Sequence, residues 1–180
     1  VRGFRNESEL NAMYEEYFPK VYNFVFYRLL HREHAEDVVS EIFLKVISNI
    51  GKFDPDKAAF STWLFTIANN SVIDHFRKQR RFADTTDGTV KLEELCAIDF
   101  DEQYEKITND DRKRLYKALT MLDEKQRHII SLKYFSGMSN KIISELTGIN
   151  ESSVSTICAR TIARLRSIFN NAADDAIRDF

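Results

Sequence analysis

Apolar side chains recur along this chain at three- and four-residue steps, the period of a helix that buries one face. The clearest stripe is Val38, Val39, Ile42, Phe43, Val46 and Ile50, which predicts a helix over 35–50 stopped by Gly51. Before it, Asn6 or Ser8 can cap a helix through Leu10, Met13 and Tyr14. Pro19 then starts a second segment whose apolar face is Val21, Phe24, Val25, Tyr27 and Leu29. His31 to His34 reads as a turn, and Lys52 to Ala59 as a loop pinned by Pro55. A long helix is predicted from Ser61 to about Arg81, with Leu64, Ile67, Ala68, Val72 and Phe76 inward. At ~1.5 Å per residue such a helix is about 30 Å long.

Periodicity fades between Asp84 and Asp110, where Asp87-Gly88 is a turn signal and acids are frequent. This stretch reads as a linker, with room for a short helix around Leu92 to Leu95. The pattern resumes near Arg112. Leu115, Leu119 and Leu122 face one way, and a helix over Glu124 to Phe135 presents Ile129, Ile130, Leu132 and Tyr134. After Ser136-Gly137-Met138-Ser139 come a short helix to Leu146, the turn Thr147-Gly148-Ile149, and a helix from Asn150 to about Phe169.

That last arrangement has the spacing of a DNA-reading helix-turn-helix. Ser139 can cap its first helix, and Ile143 and Leu146 form that helix's inner face. Ser144 is small where two helices approach, and Gly148 permits a left-handed turn residue. Asn150 caps the second helix, with Ser153 three residues on. Val154, Cys158 and Leu165 then point inward, with Ile157 and Thr161 beside them. Glu151, Ser152, Ser155, Thr156, Ala159 and Arg160 are left outward, where the first turns of a recognition helix would meet a major groove. An ordinary helical hairpin satisfies the same spacing.

Composition narrows the picture. Five Gly and two Pro in 180 residues are too few for strand-and-turn architecture, so the expected class is all-α: two small helical domains joined by an acidic flexible linker. The expected bounds are 1–83, 84–110 and 111–180. The net charge of −2 does not look like a nucleic-acid binder. Its distribution does: ten acids against two bases put Asp84–Asp111 at −8, and the rest of the chain at +6. No apolar run approaches the ~18 residues of a membrane span, and the opening Val1-Arg2-Gly3-Phe4 has no secretory pattern. Cys96 and Cys158 have neither metal nor disulfide spacing. The expected compartment is the cytoplasm.

Three groups of residues are candidates for chemistry. His75, Arg77, Lys78, Arg80 and Arg81 follow Trp63, Phe65 and Asn70 on the long helix. Cations with aromatics and amides suit a melted strand, whose bases stack and whose phosphates pair with Arg. A solvated helix C-terminus explains the cations equally. Asp37, Glu41 and Lys45 share a stripe opposite the apolar face, with Glu36 and Ser40 flanking it. This is either a solvated face with a Glu-Lys pair or a docking surface for a basic protein helix. As catalytic carboxylates these residues are poor, because no Gly-rich loop or metal-type His spacing surrounds them. His31 and His34 could share a metal, but no further His or Cys completes a set in sequence. No metal, cofactor or enzymatic activity is expected.

Taken together, two segments make the chain resemble a bacterial sigma factor of the extracytoplasmic-function type. The first runs from Ala35-Glu36-Asp37-Val38-Val39-Ser40-Glu41 through Phe60-Ser61-Thr62-Trp63-Leu64-Phe65 to Asp74-His75-Phe76-Arg77-Lys78-Gln79-Arg80-Arg81, and is similar to the family's region two. The second, from Leu122-Asp123-Glu124-Lys125-Gln126-Arg127 through Gly148-Ile149 to Arg164-Leu165, is similar to region four. The resemblance implies core-polymerase docking by Glu36, Asp37, Ser40, Glu41 and Lys45. It implies minus-ten recognition and melting by the loop carrying Phe53 and Asp54, and by Trp63, Asn70, Asp74, Arg77, Lys78, Arg80 and Arg81. Minus-thirty-five contact would fall to Glu151, Ser152, Ser153, Ser155, Thr156, Ala159, Arg160 and Arg164. The partners implied are core RNA polymerase, promoter DNA and an anti-sigma factor, with no direct membrane contact and a monomer when free. The chain departs from the family pattern at Ser40, where Gln is usual, and at Thr66 and Asn69, where Arg is common. Ser155, Ile157 and Ile162 stand where Lys or Arg often occur, so fewer phosphate contacts are expected. A sigma-like decoy that sequesters an anti-sigma factor, and a helix-turn-helix repressor, are the alternative readings.

Overall fold

The computed structural model describes the backbone of residues 7–85 and 110–178, and side chains over 7–81 and 112–168. Among these residues there are seven α-helices and no strand, as the sparse Gly and Pro predict. The chain divides into two compact units, Val1–Glu102 and Gln103–Phe180. The helix predicted around Leu92 to Leu95 lies outside the described residues.

The first unit packs α1 (Glu7–Leu29), α2 (Arg32–Asn49) and α3 (Phe60–Thr85) against one another. Each supplies one apolar face. Val21, Phe24 and Val25 meet Ile42, Val46, Leu64, Phe65, Ala68 and Val72, all at most 1% exposed. Phe24 and Phe65 meet edge-on at 5.6 Å. Full burial of such side chains is worth about 1.5–3 kcal/mol each.

Pro19 does not divide this region: α1 runs through it as one helix. An interior proline removes a donor and crowds the carbonyl one turn back, at a cost of about 3 kcal/mol. Here the buried face continues on both sides of it, from Met13 to Val21, Phe24 and Val25. Tyr14 and Phe18 also lie on Phe43 of α2, at 4.8 and 6.0 Å. Burial on both sides outweighs the local defect.

The turn predicted over His31–His34 is shorter than expected. Leu30 alone takes a left-handed conformation, φ 58°, and its N–H bonds to Phe26 C=O at 2.6 Å. His31 is already the N-cap of α2, its Nδ1 accepting from the His34 N–H at 3.3 Å. At the other end α2 passes into a single 3-10 turn, Ile50–Lys52. Gly51 lies inside that turn. The only positive-φ glycines described are Gly137 and Gly148, so the helix ends by tightening rather than through a left-handed glycine.

The second unit comprises α4 (Asp110–Thr120), α5 (Glu124–Tyr134), α6 (Asn140–Thr147) and α7 (Glu151–Arg178). Its core is Tyr116, Leu119, Ile129, Leu132, Ile143 and Val154, each at most 1% exposed. Three caps set the entries. Asp123 Oδ1 accepts from the Gln126 N–H at 2.7 Å, Ser139 Oγ from Ile142 at 3.3 Å, and Asn150 Oδ1 from Ser153 at 2.8 Å. Tyr134 is not inward as its spacing predicts; it is 57% exposed. It is the last residue of α5, beyond which the chain folds back through Met138 N–H to Leu132 C=O at 3.2 Å. Met138, 4% exposed, is buried at this point instead.

Gly148 closes α6 with φ 71° and ψ 6°, its N–H bonded to Ser144 C=O at 2.9 Å. Nothing lies within 4 Å of the place a Cβ would occupy. The cost of a side chain there is therefore conformational alone. Gly148→Val is expected to lower stability by about 1–2 kcal/mol, and Gly148→Asn by less, because Asn tolerates the left-handed region. Denaturant midpoints of the two variants test this ranking; equal losses would point to steric conflict instead.

Candidate nucleic-acid interface

On α2, Glu36, Asp37 and Ser40 are exposed, whereas Glu41 and Lys45 are half-buried. The stripe is internally tied. Arg32 pairs with Glu36 at 2.9 Å, and Lys45 with Glu41 at 2.6 Å. The Lys45 ammonium holds the Glu41 carboxyl below the usual carboxylate range, chiefly by donating a hydrogen bond to it, although burial acts against this. Lys45 Nζ also donates to Ser71 Oγ of α3 at 3.0 Å. The expected i,i+4 pair is thus present, and it is anchored to the helix that carries the cations. Ser40, where the family has Gln, turns its hydroxyl back to Glu36 C=O at 2.9 Å.

The loop between α2 and α3 is held at both ends. Asp54 organises a turn: its Oδ1 accepts from Asp56 N–H at 3.2 Å, and its carbonyl from Lys57 N–H at 3.1 Å. Phe53 packs on Phe60 and Trp63 at 5.5 and 5.4 Å, and Tyr17 of α1 meets Phe60 at 5.3 Å. Trp63 is therefore half-buried within an aromatic cluster at the base of the loop, rather than standing open as a stacking platform. Tyr17 and Phe60 were not among the predicted site residues. The aromatic density of 53–63 was the available signal.

Along α3, Asn70, Arg77, Lys78, Arg80 and Arg81 are exposed and Asp74 is half-buried. Asp74 meets Arg77 at 3.4 Å, with both groups at least half exposed, so the pair contributes little to stability. Asn69, at a position where the family commonly has Arg, is 2% exposed and belongs to the core. Thr66, the other such position, bonds to Thr62 C=O at 2.8 Å.

The third histidine that sequence spacing did not supply comes from α3. His31 and His34 stack with centroids 3.7 Å apart, and His75 lies 5.1 Å from His34. Burial pushes His75 below the usual imidazole range, reinforced by His34, Lys78 and His31. Among the described residues no group of three His, Cys, Asp or Glu is arranged to hold a metal.

In the second unit the outward set on α7 matches its sequence pattern closely. Glu151, Ser152, Ser155, Thr156, Ala159 and Arg160 are all exposed, while Val154, Cys158, Thr161 and Leu165 are at most 8% exposed. Ser153 is half-buried, its N–H occupied by the Asn150 cap. Arg164, expected on the DNA side, donates to Gln126 Oε1 of α5 at 3.2 Å. Burial raises the Cys158 thiol above its ordinary value, as befits a small core residue.

One unit holds three helices with a basic helix and an acidic stripe; the other holds a capped helix-turn-helix with a polar outward helix. Residues 13–82 match sigma-70 region 2, and residues 112–165 match sigma-70 region 4. Together the two matches span more than half of the chain, which belongs to the sigma-70 family. It is 32% identical over 157 residues to the ECF RNA polymerase sigma factor BldN of Streptomyces coelicolor, covering 85% of this chain and 58% of that protein. It is 26% identical to the ECF RNA polymerase sigma factor SigX of Bacillus subtilis, covering 96% of this chain and 91% of that one. In fold it is similar to the sigma factor RpoE of Bartonella quintana, solved with the anti-sigma factor NepR. There the TM-score is 0.70 at 22% identity, over 89% of this chain and 96% of that one. CnrH, solved with the cytosolic domain of CnrY, gives 0.60 at 21% identity, over 93% and 91%. No helix among the described residues is long and apolar enough to cross a membrane.

Proposed function

We propose that this chain is an alternative sigma factor of the extracytoplasmic-function type. It binds core RNA polymerase, directs it to a two-part promoter and opens the DNA for initiation. The observation that carries the reading is the pairing of regions two and four in one chain, in that order. Residues 1–83 act as the docking and minus-ten domain, 84–110 as the acidic linker and 111–180 as the minus-thirty-five domain. The acidic stripe of Glu36, Asp37, Ser40, Glu41 and Lys45 receives a basic surface of the polymerase. The loop with Phe53 and Asp54, braced by Trp63, receives an unstacked base. Asn70, Asp74, Arg77, Lys78, Arg80 and Arg81 follow the melted strand, where phosphates meet Arg and bases meet aromatic or amide groups. Residues 151–160 of α7 lie in the duplex major groove. Arg164, bonded to Gln126, positions α7 against α5 rather than reading bases.

The chain carries no chemistry of its own in this reading; RNA synthesis belongs to the polymerase. It acts in the cytoplasm, as a monomer when free, and without contacting membrane. The sigma factor RpoE was solved with an anti-sigma factor, and an inhibitor of that kind is carried over here as part of the proposal.

Run-off transcription on a genomic fragment library, with the purified chain and core polymerase, tests the function. Discrete starts at a fixed distance from a shared two-part motif are expected; no transcripts and no co-migration with core polymerase would overturn it. The double variant Arg77→Ala, Arg80→Ala tests the minus-ten assignment. Loss of two cations facing a single strand is expected to reduce open-complex formation roughly tenfold or more, measured by permanganate footprinting, with core binding unchanged. Unaltered opening would remove this stretch of α3 from the melted strand.

A further inference from the structure

Three of the chain's four histidines, His31, His34 and His75, meet where the corner between α1 and α2 lies against α3. Each is held in a way that suits a neutral ring. His31 Nδ1 caps α2 by accepting from the His34 N–H, and an imidazole nitrogen accepts only while it carries no proton. His34 Nδ1 lies 3.4 Å from Gln79 Nε2 of α3. An amide nitrogen donates and cannot accept, so this ring nitrogen is unprotonated too. His75 Nε2 is buried and has no hydrogen-bond partner. A charged N–H in that place is buried unpaired, which costs far more than a neutral nitrogen there. One added proton thus removes the cap of α2 at His31, or the link from α2 to α3 at His34, or puts an unpaired cation inside the unit at His75.

The charges around the cluster do not relieve this. Lys78 of α3 is a further cation beside His75. Arg28 of α1, 2% exposed, lies with its guanidinium 5.1 Å over Phe76, the residue after His75. The anions facing the cluster are Asp37 and Glu41 of α2, and Glu41 is already paired with Lys45. Burial first, then His34, Lys78 and His31, hold His75 below the usual imidazole value of 6.5, with Asp37 opposing. An unfolded chain takes up that proton near 6.5 and the folded unit resists it. The stability is therefore whole above this pH and falls as the pH drops below it.

We propose that His31, His34 and His75 form an acid-released latch between the α1–α2 corner and the basic half of α3. The latch is closed at neutral pH and opens as the rings take up protons in mild acid. The segment released is the one with Arg77, Lys78, Arg80 and Arg81. The latch itself needs no premise about function; resting on the minus-ten role proposed above, it makes promoter opening fall in mild acid.

The test uses the full chain. Trp63 is its one tryptophan and lies in the first unit, so fluorescence follows that unit through a denaturant series. Ordinary carboxylates titrate near pH 4, and His128 lies in the second unit. Between about pH 7.5 and 5.5 the first unit's response therefore reads these three rings. Over that interval its unfolding constant should rise roughly tenfold or more. The double variant His31→Asn, His34→Gln supplies acceptors that do not titrate, since asparagine caps well and a glutamine carbonyl can accept from Gln79. It should lose most of the pH dependence. The single variant His31→Asn exchanges one cap for a better one, so it should fold whatever the pair does and show an intermediate dependence. Nitrogen shifts of the imidazoles should report an unprotonated Nδ1 on His31 and His34 at neutral pH. A first unit equally stable across the interval, a protonated Nδ1 on either ring, or a dependence unchanged in both variants overturns the latch. Permanganate footprinting with core polymerase reads the consequence: opening should fall more steeply with acid for the parent than for the double variant. An equal fall overturns the link to promoter opening and leaves the latch standing. No opening at any pH overturns the proposed function, again without touching the latch.

Discussion

Replacing both Asp37 and Glu41 with lysine is expected to weaken binding to core polymerase by roughly a hundredfold or more. Like-charge juxtaposition across an interface costs several kcal/mol, and two reversals place four units of charge change on one stripe. The fold should survive. Asp37 is exposed and Glu41 half-exposed on the face of α2 opposite Val38, Ile42 and Val46. The internal loss is the Glu41–Lys45 pair, which becomes a repulsion worth a few tenths of a kcal/mol at this spacing. Helical circular dichroism and the melting temperature should therefore stay near those of the parent while fluorescence anisotropy against core polymerase collapses. Unchanged affinity in a folded double variant would move the docking surface away from α2.

Ile143→Ala should produce the largest stability loss confined to one unit. The side chain is fully buried between α5, α6 and α7, and deletion of a buried isoleucine to alanine costs about 2–5 kcal/mol. Whole domains are held by only about 5–15 kcal/mol, and small ones sit at the lower end. The helix-turn-helix should thus melt or loosen at growth temperature while α1–α3 remain folded. Methyl NMR should show native shifts for Val21, Val46 and Leu64, and collapsed dispersion for Ile129, Leu132 and Val154. Footprinting would then show the upstream half of the promoter unprotected. A cooperative loss of both sets of signals would instead mean that the two units fold as one.

The inside and outside of α7 could be read from sequence because one residue type marks each side: Val154, Cys158 and Leu165 recur on one face, and Ser, Thr, Glu and Arg fill the other. Its start was equally plain, since Ser139, Gly148 and Asn150 each suit one backbone role that few other residues fill. Pro19 misled because local propensity favours a break there, whereas long-range burial on both sides of it decides. His31 misled because imidazole is an unusual cap. The aromatic cluster of Tyr17, Phe53, Phe60 and Trp63 joins residues far apart in sequence, which no periodicity links. The same holds for Lys45 with Ser71, for His75 with His34, and for Arg164 with Gln126. Periodicity shows which face a residue lies on; it does not say which residue of another helix it meets. For that reason the outward set on α7 was legible, while the connections between the acidic stripe and α3 were not.

The contact of Lys45 with both Glu41 and Ser71 bears on partner choice. A cationic partner approaching Glu41 does not find a bare anion; it finds one already served by a tethered counterion that never diffuses away. Such a tether acts at an effective concentration of roughly millimolar or more, so a single mobile lysine of an arbitrary protein competes poorly with it. A planar guanidinium binding two oxygens at once, or several cations held in one rigid array, can displace it. In the docking role proposed for the stripe, Lys45 would thereby favour such partners modestly over weakly basic surfaces. Once displaced, its ammonium remains beside Ser71 on α3, so occupation of the acidic stripe leaves an additional uncompensated positive charge near the helix proposed to hold single-stranded DNA.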